Sequence, residues 1–262
     1  MGTAKIQGEL WGAKATDWAE AQEPGWRDVY AHVFVRLAVG TGTRLLDVGC
    51  GAGGALQMAR SLGADVSGID AATNLVAIAR ARLPGARVES GEMENLPFDA
   101  GSFDVVTGFN AFQFAGDIVQ ALREARRVCR PAGSVAMLFW GRKEECDVLA
   151  AVMPAVMPLL PSGPAPAPPR PTLANSGVAE ALMREAGFSI TVGGAVDCLL
   201  LYRDTATAMR ALSSAAPFVR AERHVGRDVL EASVMAVLPP FTDADGSVRL
   251  NNRMRYVVGT CE

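Results

Sequence analysis

The sequence has no C-x-x-C pair, and its five cysteines, Cys50, Cys129, Cys146, Cys198 and Cys261, are widely scattered and odd in number. That spacing argues against a disulfide framework and a cysteine zinc site, so no metal is expected, and it suits a reducing compartment. A cationic surplus is also missing, because 25 Lys and Arg stand against 28 Asp and Glu for a formal charge of −3. With no basic footprint, nucleic acid is not expected as a partner. Long hydrophobic runs are absent as well. The longest, roughly Val148 to Leu160, is interrupted by Pro154 and Pro158 and is too short to span a bilayer. The first residues lack the apolar core of a signal peptide, so a cytoplasmic location is expected. No internal repeat or heptad register is visible.

What is present is concentrated in Arg44 to Gly54, where a short apolar strand runs into Asp47 and four glycines follow within six positions. Glycines at a strand-to-helix turn allow backbone conformations closed to other residues and clear away side chains that would hold off a flat ligand. Gly49, Gly51 and Gly54 satisfy the G-x-G-x-x-G of dinucleotide enzymes, whereas Gly49, Gly51 and Gly53 satisfy a G-x-G-x-G. The glycines leave both ligands open. Asp47 tilts the choice, because a carboxylate two residues before the first glycine is a poor neighbour for a pyrophosphate and suits a ligand carrying an ammonium and a sulfonium.

A helix with Leu56, Ala59 and Leu62 on one face follows, then a strand from Asp65 to Asp70 that ends in a carboxylate about twenty residues beyond the loop. One helix plus one strand returns Asp70 to the same sheet edge as Gly49, where it can accept from both hydroxyls of a ribose. A further helix carries Leu75, Ile78, Ala79 and Leu83, and a third strand is expected near Arg87 to Ser90. Ser102 to Asn110 holds a buried fourth strand. From Asp117, a plausible N-cap, Ile118, Leu122, Ala125 and Cys129 mark a helix, and Gly133 to Trp140 reads as a fifth strand.

Asp47-x-Gly49-x-Gly51-x-Gly53, the segment Gly91-Glu92-Met93-Glu94-Asn95-Leu96-Pro97-Phe98, and the turn Arg127-Val128-Cys129-Arg130-Pro131-Ala132-Gly133 together resemble class I methyltransferases dependent on S-adenosylmethionine (SAM). The segments are similar to those of ubiquinone and menaquinone biosynthesis methyltransferases and their many natural-product relatives, and the resemblance covers about residues 44 to 140. It implies an α/β fold with a doubly wound, seven-stranded, mainly parallel sheet of order 3-2-1-4-5-7-6, Rossmann-like, under a helical cap. It also implies SAM as cofactor, held by Asp47, Gly49, Cys50, Gly51, Gly53, Asp70, Ala71, Glu92, Met93, Phe109 and Asn110. Glu92 takes the acidic position that accepts from the adenine amino group, and Met93 lies against the ring. The implied reaction is methyl transfer to oxygen, nitrogen or carbon of a small, partly apolar molecule. A SAM-fold cyclisation, a nicotinamide-dependent reductase and a SAM-binding regulator remain as alternatives.

Outside that stretch the signal is weaker. Residues 1–43 read as helices of an N-terminal cap segment, 44–140 as the cofactor-binding core, and 141–262 as the remaining strands with an inserted substrate cap. Trp11 and Trp18, seven apart, are expected on one helix face and, with Gln113, near the acceptor. His32 and His224 are the candidate general bases. Pro158 to Pro171 reads as a stiff surface connector. Gly177 to Gly187 is expected as a helix, Phe188 to Tyr202 as a strand, and 204–215 and 226–238 as two helices. Alternating Val248, Leu250, Met254, Tyr256 and Val258 mark a last strand with one buried face.

Overall fold

A computed structural model describes residues 2–162 and 171–261. Most of the proline-rich connector expected at 158–171 lies outside the described residues. The chain begins with α1 (Ala4–Gly12) and α2 (Ala15–Asp17), continues through a π turn at Trp18–Gln22 and a 3-10 turn at Glu23–Trp26, and enters α3 (Arg27–Arg36). Trp11 and Trp18 therefore do not share one helix face as expected, because the chain breaks at Ala13 and Lys14. They meet all the same, edge to face, with ring centroids 5.1 Å apart.

Next come β1 (Arg44–Val48), α4 (Gly54–Ser61), β2 (Asp65–Asp70), α5 (Thr73–Arg82), β3 (Arg87–Ser90), β4 (Phe103–Phe109), α6 (Ile118–Val128) and β5 (Cys129–Trp140). The carboxylate of Asp117 accepts from the amide of Gln120 at 3.0 Å, which fixes the start of α6 as its sequence suggests. Leu62 falls just beyond α4 and is 45% exposed, so the buried face of that helix is Ala55, Leu56 and Ala59.

After Trp140 the chain passes through short helical turns, including α7 (Met153–Val156), then α8 (Val178–Glu185), β6 (Phe188–Tyr202), α9 (Thr205–Leu212), α10 (Ala216–Val225), α11 (Arg227–Met235) and β7 (Val248–Cys261). Helix α10 is a correction to the sequence reading, which placed no helix between 215 and 226. Pro217 opens it, where a missing amide costs nothing, and Gly226 closes it at a φ of 87°. The charged run around His224 is thus its last turn.

The seven strands form one sheet of order β3-β2-β1-β4-β5-β7-β6, with β7 antiparallel to both of its neighbours. This is the doubly wound, mainly parallel α/β arrangement of the class I methyltransferase fold. Leu45 faces one hydrophobic cluster with α3, α4 and the cap helices, while Leu46 faces the other with α6 and α8. Strands covered on both faces read as continuous apolar runs, as β1 and β4 do.

Register positions the site. Asp47 pairs with Gly68 of β2 and with Thr107 of β4, and Asp70 pairs with Ser90 of β3, so the carboxyl ends of adjacent strands come out together beneath the turn at Gly49. Open parallel sheets bind ligands at this kind of edge.

Candidate cofactor and acceptor site

Above those strand ends lies a cavity walled by the glycine turn below and by α1, the π turn and α3 above. Gly51 turns the chain at a φ of 54°, and its amide donates to Asp70 at 2.8 Å. The second oxygen of Asp70 accepts from the amide of Ala72 at 2.8 Å. These bonds orient the carboxylate, and each oxygen keeps a lone pair for a ligand hydroxyl. Burial raises the pKa of Asp70 against the pull of the two amides.

Asp47 is 1% exposed and accepts from the Thr107 hydroxyl at 2.7 Å. Burial pushes its pKa up to about 8, the Thr107 bond opposes that shift, and the charges of Asp70 and Glu23 reinforce it. Glu23 is the third carboxylate. It is 4% exposed, takes the Gly54 amide at 3.1 Å, and pairs with Arg82, whose guanidinium also donates to the carbonyls of Ala52 and Ala19. Burial raises the pKa of Glu23, with Gly54 and Arg82 pulling it down.

The helix that follows the glycine turn therefore has an anion, Glu23, already seated on its first amide. A pyrophosphate would need that position, and it would meet the Glu23 carboxylate there, with Asp70 on the neighbouring Gly51 amide. A cationic ligand meets the opposite field. The residues present fit the ammonium and sulfonium of SAM, and the bare Gly51 leaves a hollow that a Cβ would fill, 3.4 Å from Trp18 Nε1 and 3.5 Å from Glu23 Oε1.

Of the expected cofactor residues, Asp47, Gly49, Cys50, Gly51, Asp70, Ala71, Glu92, Met93, Phe109 and Asn110 all line the cavity. Gly53 does not. It turns toward α5, where a Cβ would meet Ala79 and Leu83, and serves the helix start at a φ of 86°. The Cys50 thiol lies against Gly68, and burial raises its pKa well above the usual thiol range, so it is no nucleophile. Glu92 accepts the amide of Ala4 at 2.9 Å, which ties the first turn of α1 to the place expected for an adenine ring. Asn110 holds a φ of 55°, a conformation that asparagine tolerates better than most residues.

Trp11 and Trp18 line the cavity, with Phe114 edge to face against Trp11 at 5.4 Å. Gln113 stands one step behind the cavity lining, its amide donating to Asn110 Oδ1. Both histidines lie away from the cavity. His32 Nε2 is 3.2 Å from the Tyr256 hydroxyl, on the side of α3 facing β7, and His224 sits at the end of α10. Neither is placed to take a proton from a ligand, which corrects the expectation that they act as bases.

Glu23, Trp26, Tyr30 and Phe114 are among the lining residues that the expected cofactor and acceptor set did not include. Burial, then the charges of Glu23 and Asp47, keep the Tyr30 phenol protonated far above its ordinary range. The pair Gln22-Glu23 ahead of Pro24-Gly25 was the available signal, but nothing local distinguishes a buried polar residue from a solvated one. Gln22 is buried as well and accepts the Tyr202 hydroxyl at 2.7 Å, which pins the π turn to β6.

Among the described residues there is no group of three or more His, Cys, Asp or Glu placed to hold a metal, and no helix is long and apolar enough to cross a membrane.

Residues 46–137 match a family described as a methyltransferase domain. A demethylmenaquinone methyltransferase of Staphylococcus epidermidis is 33% identical over 123 residues, 45% of this chain and 50% of that protein. The YcgJ protein of Bacillus subtilis superimposes with a TM-score of 0.57 at 19% identity, covering 88% of this chain and 97% of that one. The [4+2]-cyclase SpnF superimposes with a TM-score of 0.53 at 22% identity, over 87% of this chain and 80% of its own. At those identities the two structures share the fold alone. This chain spans half or less of the length of the curated relatives it matches.

Proposed function

We propose that the chain is a SAM-dependent methyltransferase whose acceptor is a small, partly apolar molecule carrying a nucleophilic oxygen, nitrogen or carbon. A single observation carries the reading. Three carboxyl groups, the buried Asp47 and Glu23 and the half-buried Asp70, surround the turn at Gly49–Gly51, and Glu23 caps the helix where a dinucleotide would place its phosphates. That field suits a cation-bearing adenosyl ligand over a nicotinamide cofactor.

In this reading SAM supplies a methyl carbon already activated by positive sulfur. Asp70 accepts from the ribose hydroxyls, Glu92 and Met93 meet the adenine, and Phe109 and Asn110 border the methyl-bearing end. Trp11, Trp26, Tyr30 and Phe114 provide aromatic walls for the acceptor. With the histidines elsewhere and Tyr30 held protonated, the chain works by orienting its two ligands and excluding water, which can lower a barrier by about 7 to 11 kcal/mol in favourable cases. The core at 44–140 binds the cofactor, and the cap drawn from 1–43 and 141–262 selects the acceptor.

Calorimetry with SAM and with NADH tests the first half. Binding of SAM without NADH is expected, and the reverse would overturn the assignment. Methyl-labelled SAM offered with quinols, phenols and amines tests the second half, with a demethylated quinol of the kind named for the Staphylococcus relative tried first. Binding of SAM with no label transferred to any of these acceptors would count against methyl transfer.

A further inference from the structure

The Trp18 indole nitrogen is buried without a hydrogen-bond partner. A buried donor left unpaired is costly, and native structures keep few of them without a reason such as a ligand. This donor is placed over the glycine turn, at the hollow above Gly51 that Glu23 Oε1 also borders. Donor and carboxylate stand no farther apart than the sum of their distances to that hollow, yet they do not bond to each other. Arg82 holds Glu23 in place from behind, through the ion pair and two backbone carbonyls. A neutral donor and a buried anion bordering one small space match a group that is itself both anionic and cationic.

We infer that Trp18 and Glu23 form the subsite for the α-amino-acid arm of the cofactor, the indole N–H donating to its carboxylate and Glu23 accepting from its ammonium. The inference rests on the SAM reading above and extends it to two residues of the N-terminal segment, outside the matched span of 46–137. It moves Trp18 from the acceptor side, where its sequence spacing put it, to the cofactor. It also gives the cap a reason to close: the cofactor arm completes a hydrogen bond that the protein alone leaves open.

Equilibrium binding of S-adenosylhomocysteine and methylthioadenosine tests it, since both have neutral sulfur and only the first carries the amino-acid arm. In the parent protein S-adenosylhomocysteine should bind more tightly. Trp18→Phe and Glu23→Gln should each cut that preference about tenfold, the size of a lost hydrogen bond to a charged group, while affinity for methylthioadenosine stays within about twofold. Methylthioadenosine thereby also reports that each variant is folded around the nucleoside. Decarboxylated SAM separates the two roles: Trp18→Phe should not weaken its binding, whereas Glu23→Gln should.

An unchanged preference in both variants overturns the inference. So does a loss of methylthioadenosine binding equal to that of S-adenosylhomocysteine, or a Trp18→Phe penalty that persists with the decarboxylated ligand. If the parent protein binds none of these adenosyl compounds, the cofactor reading itself fails, a result separate from the others.

Discussion

At Asp47 the chain buries a carboxyl, gives it the hydroxyl of Thr107, and sets two more carboxyls within range of it. Its pKa near 8 has two consequences of opposite direction. Because the folded state holds this proton more tightly than the unfolded chain does, the Asp47 contribution to stability is greatest below the ordinary carboxylate range and fades as pH rises toward about 8. A bound cation favours the ionised form, so at pH 7 cofactor binding should release a proton, and affinity should climb with pH before levelling near 8. Calorimetry in buffers of different ionisation enthalpy measures that release. Asp47→Asn should remove the Asp47 share of it, which the difference from the parent isolates from titration of the cofactor's own amine. Thr107→Val should move the levelling point upward, since the lost bond favoured the charged form, and should cost about 1–3 kcal/mol of stability in denaturant melts.

Between elements, the decisive contacts join pieces far apart in the chain. Glu23 reaches Gly54 across 31 residues and Arg82 across 59, so the π turn and the 3-10 turn after it are fastened to α4 and α5 together. Arg82→Ala leaves the buried Glu23 carboxylate without its counter-charge. Complete burial of both partners would make that loss worth several kcal/mol, but Arg82 is a quarter exposed, and about 1–3 kcal/mol is expected as a fall in the unfolding midpoint. Glu23→Gln should suffer less, because an amide needs no counter-charge.

These contacts also explain what could be read beforehand. The glycine turn, Asp47 and Asp70 lie within one strand–helix–strand unit, and local spacing forces them together, so their positions were legible. Glu23, Arg82 and Thr107 meet only after the sheet has formed, and no periodicity records that meeting. His32 looked like a base because histidine titrates usefully. Its helix turns it toward Tyr256 and away from the cavity.

For the molecule as a whole, apolar runs marked where strands lie and the family likeness alone implied their order, whereas α10 was missed because its charged face obscured a helix that Pro217 and Gly226 delimit. One hydrophobic cluster runs from Leu45 and Val105 in the sheet to Val148, Phe218 and Leu230 in the cap. Cap and sheet are therefore expected to unfold in one transition, with tryptophan fluorescence and far-ultraviolet circular dichroism giving coincident curves. Separate midpoints would show that the cap melts by itself. Leu46→Ala, at a position with no exposed surface on the other face of the sheet, should lower stability by about 2–5 kcal/mol without altering cofactor preference.

The roof over the cavity comes from one stretch holding α1, the π turn and α3, and two later stretches brace it: α1 touches α10, the π turn touches α9, and α7 packs on both α10 and α11. Anyone wishing to retarget this protein by borrowing a loop from a cousin would inherit mismatched seams. A working chimera has to import all three segments as a set, and libraries randomised in only one of them will sample a fraction of the available selectivity.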